Sequence, residues 1–248
     1  MLTRRRADPQ ACSMTAPSPD QVRARLEEIR TARGFVLPHH GLMAASLPEL
    51  HATYEAMYRA LTLDPRHLSA LARESVWLAI LSACEEPVGT HHLQKFRAAG
   101  GTDAQALAIF RLSAWAGGAG RYATLDAAWG GHFPGASLRD AYLDGARALL
   151  LGGALDETLA RICLAAIHAA SDQQWGLALE LEAALRLGVA EAELAEALSL
   201  IIWPRGVNRF VRAAECWLAL IRAGQVPASE AFRAWAAAPD QGAMKLSP

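Results

Sequence analysis

The sequence has no thiol pair. Its four cysteines, Cys12, Cys84, Cys163 and Cys216, form no CxxC and show no disulfide-like spacing, which argues against a disulfide scaffold and fits a reducing, cytoplasmic compartment. It has no excess of charge either. The net charge of −1 gives no electrostatic reason to expect a nucleic-acid partner. No apolar run approaches the roughly 18–20 residues of a membrane span. The basic start MLTRRR leads into no apolar stretch, so no signal peptide is expected, and Met14 is an alternative first residue. Alternation of β-branched or aromatic residues with polar ones is missing, which removes the signature of strands. The HxxxH and HExxH spacings are also absent, and no metal is expected although His39-His40 and His91-His92 are adjacent pairs. The glycines at 117–120 follow a helical pattern rather than a strand, so they read as a packing hinge and not as a phosphate loop.

Apolar residues make up 52% of the chain and charged residues 20%, an apolar excess that suggests extra surface buried between subunits. With 248 residues the chain can bury a substantial core. Leu71, Glu74, Leu78 and Leu81 recur at helical spacing, as do Val88, His92, Phe96 and Ala99, and Leu177, Leu181, Ala184 and Leu185. Asp64-Pro65 reads as a helix start, Gly100-Gly101 as a helix end and Asp103 as the next cap. The expected fold class is all-α.

The chain also repeats itself. A shift of 88 residues carries Leu71, Ala72 and Arg73 onto Leu159, Ala160 and Arg161, and Gly100 onto Gly188. The same shift of 88 carries Leu112, Trp115, Gly118, Arg121 and Trp129 onto Leu200, Trp203, Gly206, Arg209 and Trp217. That period is too long for a solenoid and implies a duplicated helical unit. The expected organisation is a disordered extension over 1–19, a first repeat over 20–131 with a charged N-terminal helix, a second repeat over 132–237 and a flexible tail over 238–248. The junction falls in GGHFPGASL near Phe133.

Three features of the first repeat occur in order: an Arg73-Glu74 helix continuing to Ala79, an inward His92 before Gly100-Gly101-Thr102, and a small-residue stretch, Ala114 to Gly120, containing Trp115. In the second repeat Arg161 to Ala166, Gly188-Val189 and Trp203 to Gly206 take the same places. This order resembles the AhpD/carboxymuconolactone decarboxylase family, over most of residues 45–225. The thiol positions of the family's peroxidase branch fall here on Glu85 and Val88, and in the second repeat on Gln173 and Gly176, with Glu180 in place of the histidine. The first repeat therefore resembles the thiol-free decarboxylase branch, whereas the later copy reads as degenerate or re-purposed.

Glu74 shares its stripe with leucines, so a helix turns its carboxyl inward, where desolvation raises a carboxyl pKa. His92 shares the stripe of Phe96, so an imidazole and a carboxyl on antiparallel neighbours can form a proton-transfer pair. A satisfied structural ion pair is the competing reading. Glu85 and Glu86 precede Pro87 and either complement a helix dipole or touch substrate. His91 is rotated about 100° from His92 and faces the rim. Cys84 reads first as a small buried hydrophobe. Glu180 and Glu182 are weaker candidates for a carboxylate from the other repeat. The resemblance implies a cofactor-free lyase of ring catabolism acting on a small unsaturated carboxylated lactone. His92 and Glu74 are then catalytic, Glu85, His91, Trp115 and Arg121 bind substrate, and Arg73 is an alternative carboxylate holder. It further implies a homo-oligomer, a trimer of tandem repeats, with no membrane or nucleic-acid partner. The alternatives are a peroxidase, a hydratase or isomerase at the same site, and a non-catalytic ligand-binding or assembly protein.

Overall fold

The computed structural model describes residues 16–241, and among them there are helices and no strand. The parts of the expected extension and tail over 1–15 and 242–248 lie outside the described residues. The chain divides into two compact units between Asp64 and Pro65. That division falls inside the stretch assigned above to the first repeat.

The first unit holds α1 (Pro19–Arg33), α2 (Pro38–Ser46) and α3 (Pro48–Tyr58), the last continued by a π-helical turn over Arg59–Leu63. Ser18 and Gln21 form a reciprocal cap at the start of α1, and Pro19 takes the first helical position. Gly34 ends the helix at φ 80°, a left-handed conformation that an L side chain resists. The expected disordered stretch thus already contributes a helix cap at Ser18.

The second unit holds α4 (Ala70–Ala83), α5 (Thr90–Ala98), α6 (Asp103–Ala116), α7 (Ala119–Trp129), α8 (Leu138–Ala148), α9 (Glu157–Ser171) and α10 (Gln174–Arg186). It ends with α11 (Glu191–Ser199), α12 (Ile202–Arg205), α13 (Val207–Arg222) and α14 (Glu230–Ala237). Two sequence expectations shift here. Asp64-Pro65 separates the units, and α4 opens at Ala70 under the Ser69 cap. Thr102, not Asp103, caps α6, with Gln105 completing the capping box.

Helices α4 and α9 pack on each other at the centre. Both are enclosed on all sides, because Glu74 to Ile80 and Leu159 to Ala170 are continuously buried. The stripe reading of α4 was therefore too narrow, since even Val76 and Ala79 are fully buried. Around this pair, α5 and α6 pack on α4, while α10 and α11 pack on α9. One apolar cluster runs through α4, α6, α9, α10, α11 and α13, so residues from both expected repeats share a core. Helix bounds follow the 88-residue register: α4, α6 and α7 begin at 70, 103 and 119, and α9, α11 and α13 at 157, 191 and 207. Glu196 on α11 accepts from the His67 and Leu68 amides at 2.6 and 2.8 Å, which satisfies two backbone donors just before α4.

Candidate functional site

Residues Glu74 and His92 meet across the α4–α5 interface. The His92 Nδ1 lies 2.8 Å from a Glu74 carboxyl oxygen, and each residue is only 2% exposed. Helix α5 presents His92 and Phe96 inward because they fall four residues apart on one face. Val88, expected on the same stripe, precedes α5 in a 3-10 turn and is 58% exposed. The Trp77 ring stacks on His92 with centroids 4.2 Å apart, and the half-buried His91 ring lies 4.1 Å away on a tilted plane. Imidazole and indole rings thus run from the core toward the surface. Arg73 Nε stands 3.6 Å from the second Glu74 oxygen. Burial lowers the His92 pKa, while the Glu74 hydrogen bond and charge pull it back up.

Beside the pair is an apolar hollow of about 380 Å³ whose walls include Leu78, Leu81, Glu85, Leu93 and Phe110. Neither Glu74 nor His92 forms its wall. Two of the lining residues neighbour the pair along the chain: Leu78 is one turn beyond Glu74 on α4, and Leu93 follows His92 on α5. Glu85 sits at the rim with a left-handed backbone at φ 53°. Glu86 accepts from the Val88 amide at 2.9 Å, which assigns it to the turn. Cys84 is half-buried, and burial raises its thiol pKa, which disfavours the thiolate a nucleophile needs.

Two of the expected substrate contacts lie elsewhere. Trp115 packs against Tyr122 and Tyr142, with ring centroids 5.9 Å from each, and Arg121 is exposed on α7. Both residues recur under the 88-residue shift, and that recurrence reports packing rather than membership of one site.

The stretch expected as a second repeat carries a different pair, across the α9–α10 interface. Arg161 donates to both Glu180 oxygens at 3.0 and 3.3 Å, with exposures of 1% and 0%. A guanidinium and a carboxylate stand where the first repeat places a carboxyl and an imidazole. Glu182 instead turns toward Arg139 and Arg186.

Sequence reasoning missed two histidine environments. His168 Nε2 lies 2.7 Å from the Tyr142 hydroxyl, both residues are fully buried, and Nδ1 has no hydrogen-bond partner. Burial alone pushes the His168 pKa down to about 3. In the first unit His39, His40 and His51 come together, with His40 and His51 stacked at 6.0 Å. The signal available for His168 was its position in the otherwise apolar run from Ile162 to Ala170 of α9. The His39, His40 and His51 grouping depends on how α2 and α3 fold back, which no local pattern reports.

Among the described residues no group of three or more His, Cys, Asp or Glu side chains is arranged to hold a metal ion. No described helix is long and apolar enough to cross a membrane. No family model, curated protein or solved structure matches the chain.

Proposed function

We propose that the chain is a proton-transfer enzyme, a cofactor-free lyase of the carboxymuconolactone decarboxylase type, built as a tandem repeat with its one site in the first half. The observation that supports this reading is the Glu74–His92 contact of 2.8 Å, closed off from water between two helices, α4 and α5, that both also line an apolar hollow. An imidazole aligned by a carboxyl can take a proton from solvent and deliver it to a carbon of the substrate. A small unsaturated, carboxylated lactone supplies its own electron sink. Carbon dioxide leaves as its bonding pair delocalises into the conjugated carbonyl, and the general acid protonates the remote carbon. Arg73, beside Glu74, is the guanidinium placed to hold a substrate carboxylate. The pair is buried, so α4 and α5 must open for substrate to reach it, and His91 offers a route for protons to solvent. A cytoplasmic homo-oligomer remains part of this proposal.

The test is carbon dioxide release from muconolactone-type acids. His92→Gln and Glu74→Gln should each lower kcat by about 10²-fold or more with helicity unchanged. Wild-type rates in purified His92→Gln would end the proposal.

A second reading rests on its own observation. Because the α9–α10 interface also buries an ionic pair, Arg161–Glu180, such pairs fit a role in helix registry. On that reading a Glu74→Leu/His92→Leu protein keeps its stability and every biochemical property of the parent.

A further inference from the structure

The first unit contains a hollow of about 280 Å³ between α1 and α3, unrelated to the Glu74–His92 pair. Its walls combine Ile29 and Ala32 with four polar side chains, Arg25, Glu28, His51 and Glu55. His51 is 1% exposed, yet neither of its ring nitrogens has a hydrogen-bond partner. Buried imidazole nitrogens are ordinarily paired, so an unpaired one facing a hollow marks a place for a ligand atom.

The neighbouring groups define what that atom is. Glu55 is held by Arg33 through one carboxyl oxygen, and its other oxygen, Oε1, is buried without a hydrogen bond. Arg33 is itself fixed on the Tyr58 ring face at 3.8 Å and against His40 Nε2 at 3.3 Å. This anchoring fixes the carboxylate and leaves Oε1 as a free acceptor. Oε1 lies 3.6 Å from His51 Nε2, too far for a hydrogen bond between them. Two acceptors at that spacing can both receive N–H bonds of about 2.8–3.0 Å from one nitrogen placed between them. Burial lowers the His51 pKa, with Arg25 and Arg33 adding to that effect and Glu55 opposing it, so the ring is available as a neutral acceptor. Across the hollow Arg25 is steadied by donating to the Pro48 carbonyl at 3.1 Å, leaving guanidinium N–H groups for an anion. Glu28 adds negative charge at the mouth. Two arginines bracketing the carboxylates disfavour a bare metal cation, and the volume lies below the roughly 300–1,000 Å³ of drug-sized sites.

We propose that this hollow binds a small zwitterion, an amino-acid-like molecule whose ammonium group bridges Glu55 and His51 and whose carboxylate pairs with Arg25. The test is isothermal titration calorimetry of the full chain with 4-aminobutanoate, β-alanine and glycine, and with butylamine and butanoate as matched single-charge controls. At least one zwitterion should bind saturably, ten-fold or more tighter than either control. Arg25→Gln should reduce its affinity to that of the amine, and His51→Gln should weaken it at least five-fold. Since His51→Gln can disturb folding, the His51 ring nitrogen resonances of the wild-type chain provide an independent readout and should move on saturation. Equal affinity for zwitterion and amine, no binding by any zwitterion, or unmoved His51 resonances at saturation would each overturn the proposal.

Discussion

The fully buried His168 makes acid lability measurable at a single residue. Its pKa is about 3 in the folded chain against an ordinary 6.5. Above pH 6.5 neither the folded nor the unfolded state protonates this ring, and its contribution to pH dependence is nil. Between those two values the unfolded chain takes up a proton that the folded chain refuses, so stability falls as the pH is lowered. One pH unit corresponds to about 1.4 kcal/mol, so about 1.5 units below the ordinary value the loss from His168 is roughly 2 kcal/mol. Ile80 occupies the corresponding position of α4 and is fully buried, which makes His168→Ile the substitution the chain itself suggests. Tyr142→Phe must accompany it, to avoid leaving a buried hydroxyl without its partner. The assay is urea unfolding followed by circular dichroism at about pH 7 and about pH 5. Wild type should lose roughly 2 kcal/mol more than the double variant over this interval, whatever their relative stabilities at neutral pH. His92 titrates in both proteins and cancels. Equal acid losses would refute the reasoning, as would a His168 ring titrating near its ordinary value by NMR.

Gly176→Ala should destabilise the fold by about 1–3 kcal/mol in chemical denaturation, since its Cβ would sit 2.5 Å from the His168 ring. Glu180→Leu alone should cost about 3 kcal/mol by leaving buried Arg161 with Glu157 as its one remaining ion-pair partner among the described residues, and adding Arg161→Leu should recover much of it. A double-mutant cycle by urea unfolding measures that coupling. On the proposed mechanism His92 must carry a proton to act as the general acid, so kcat/KM falls as the pH rises, with a midpoint below 6.5 because burial lowers the His92 pKa. A midpoint above that value in a pH–rate profile would contradict a buried His92 in that role.

The inward direction of Glu74 and His92 was legible because both fall on helical stripes of large apolar residues, and stripes report burial directly. The same logic misplaced Val88, which sits in a turn before α5, where helical spacing has no meaning. Trp115 and Arg121 were grouped with the pair through repetition and resemblance. Neither source carries information about which interface a side chain faces: Trp115 turned to Tyr122 and Tyr142, and Arg121 to the surface. The break at Asp64-Pro65 resembled a helix start because Pro suits both a first turn and a linker. The His51–Glu55 approach was within reach as a four-residue spacing on one helix, whereas the stacking of His51 on His40 was not, since α2 and α3 must both be placed before those rings meet.

The two ionic pairs of the second unit differ in one respect that outlasts any assignment of activity. In the Glu74–His92 joint the imidazole is the group that can gain a proton, and burial moves that event to lower pH. In the Arg161–Glu180 pair the guanidinium never gives up its proton, so any change of charge falls on Glu180, whose pKa burial raises to about 7 against the pull of Arg161. One molecule therefore holds two buried joints that answer to acidity through different groups, an imidazole between α4 and α5 and a carboxyl between α9 and α10.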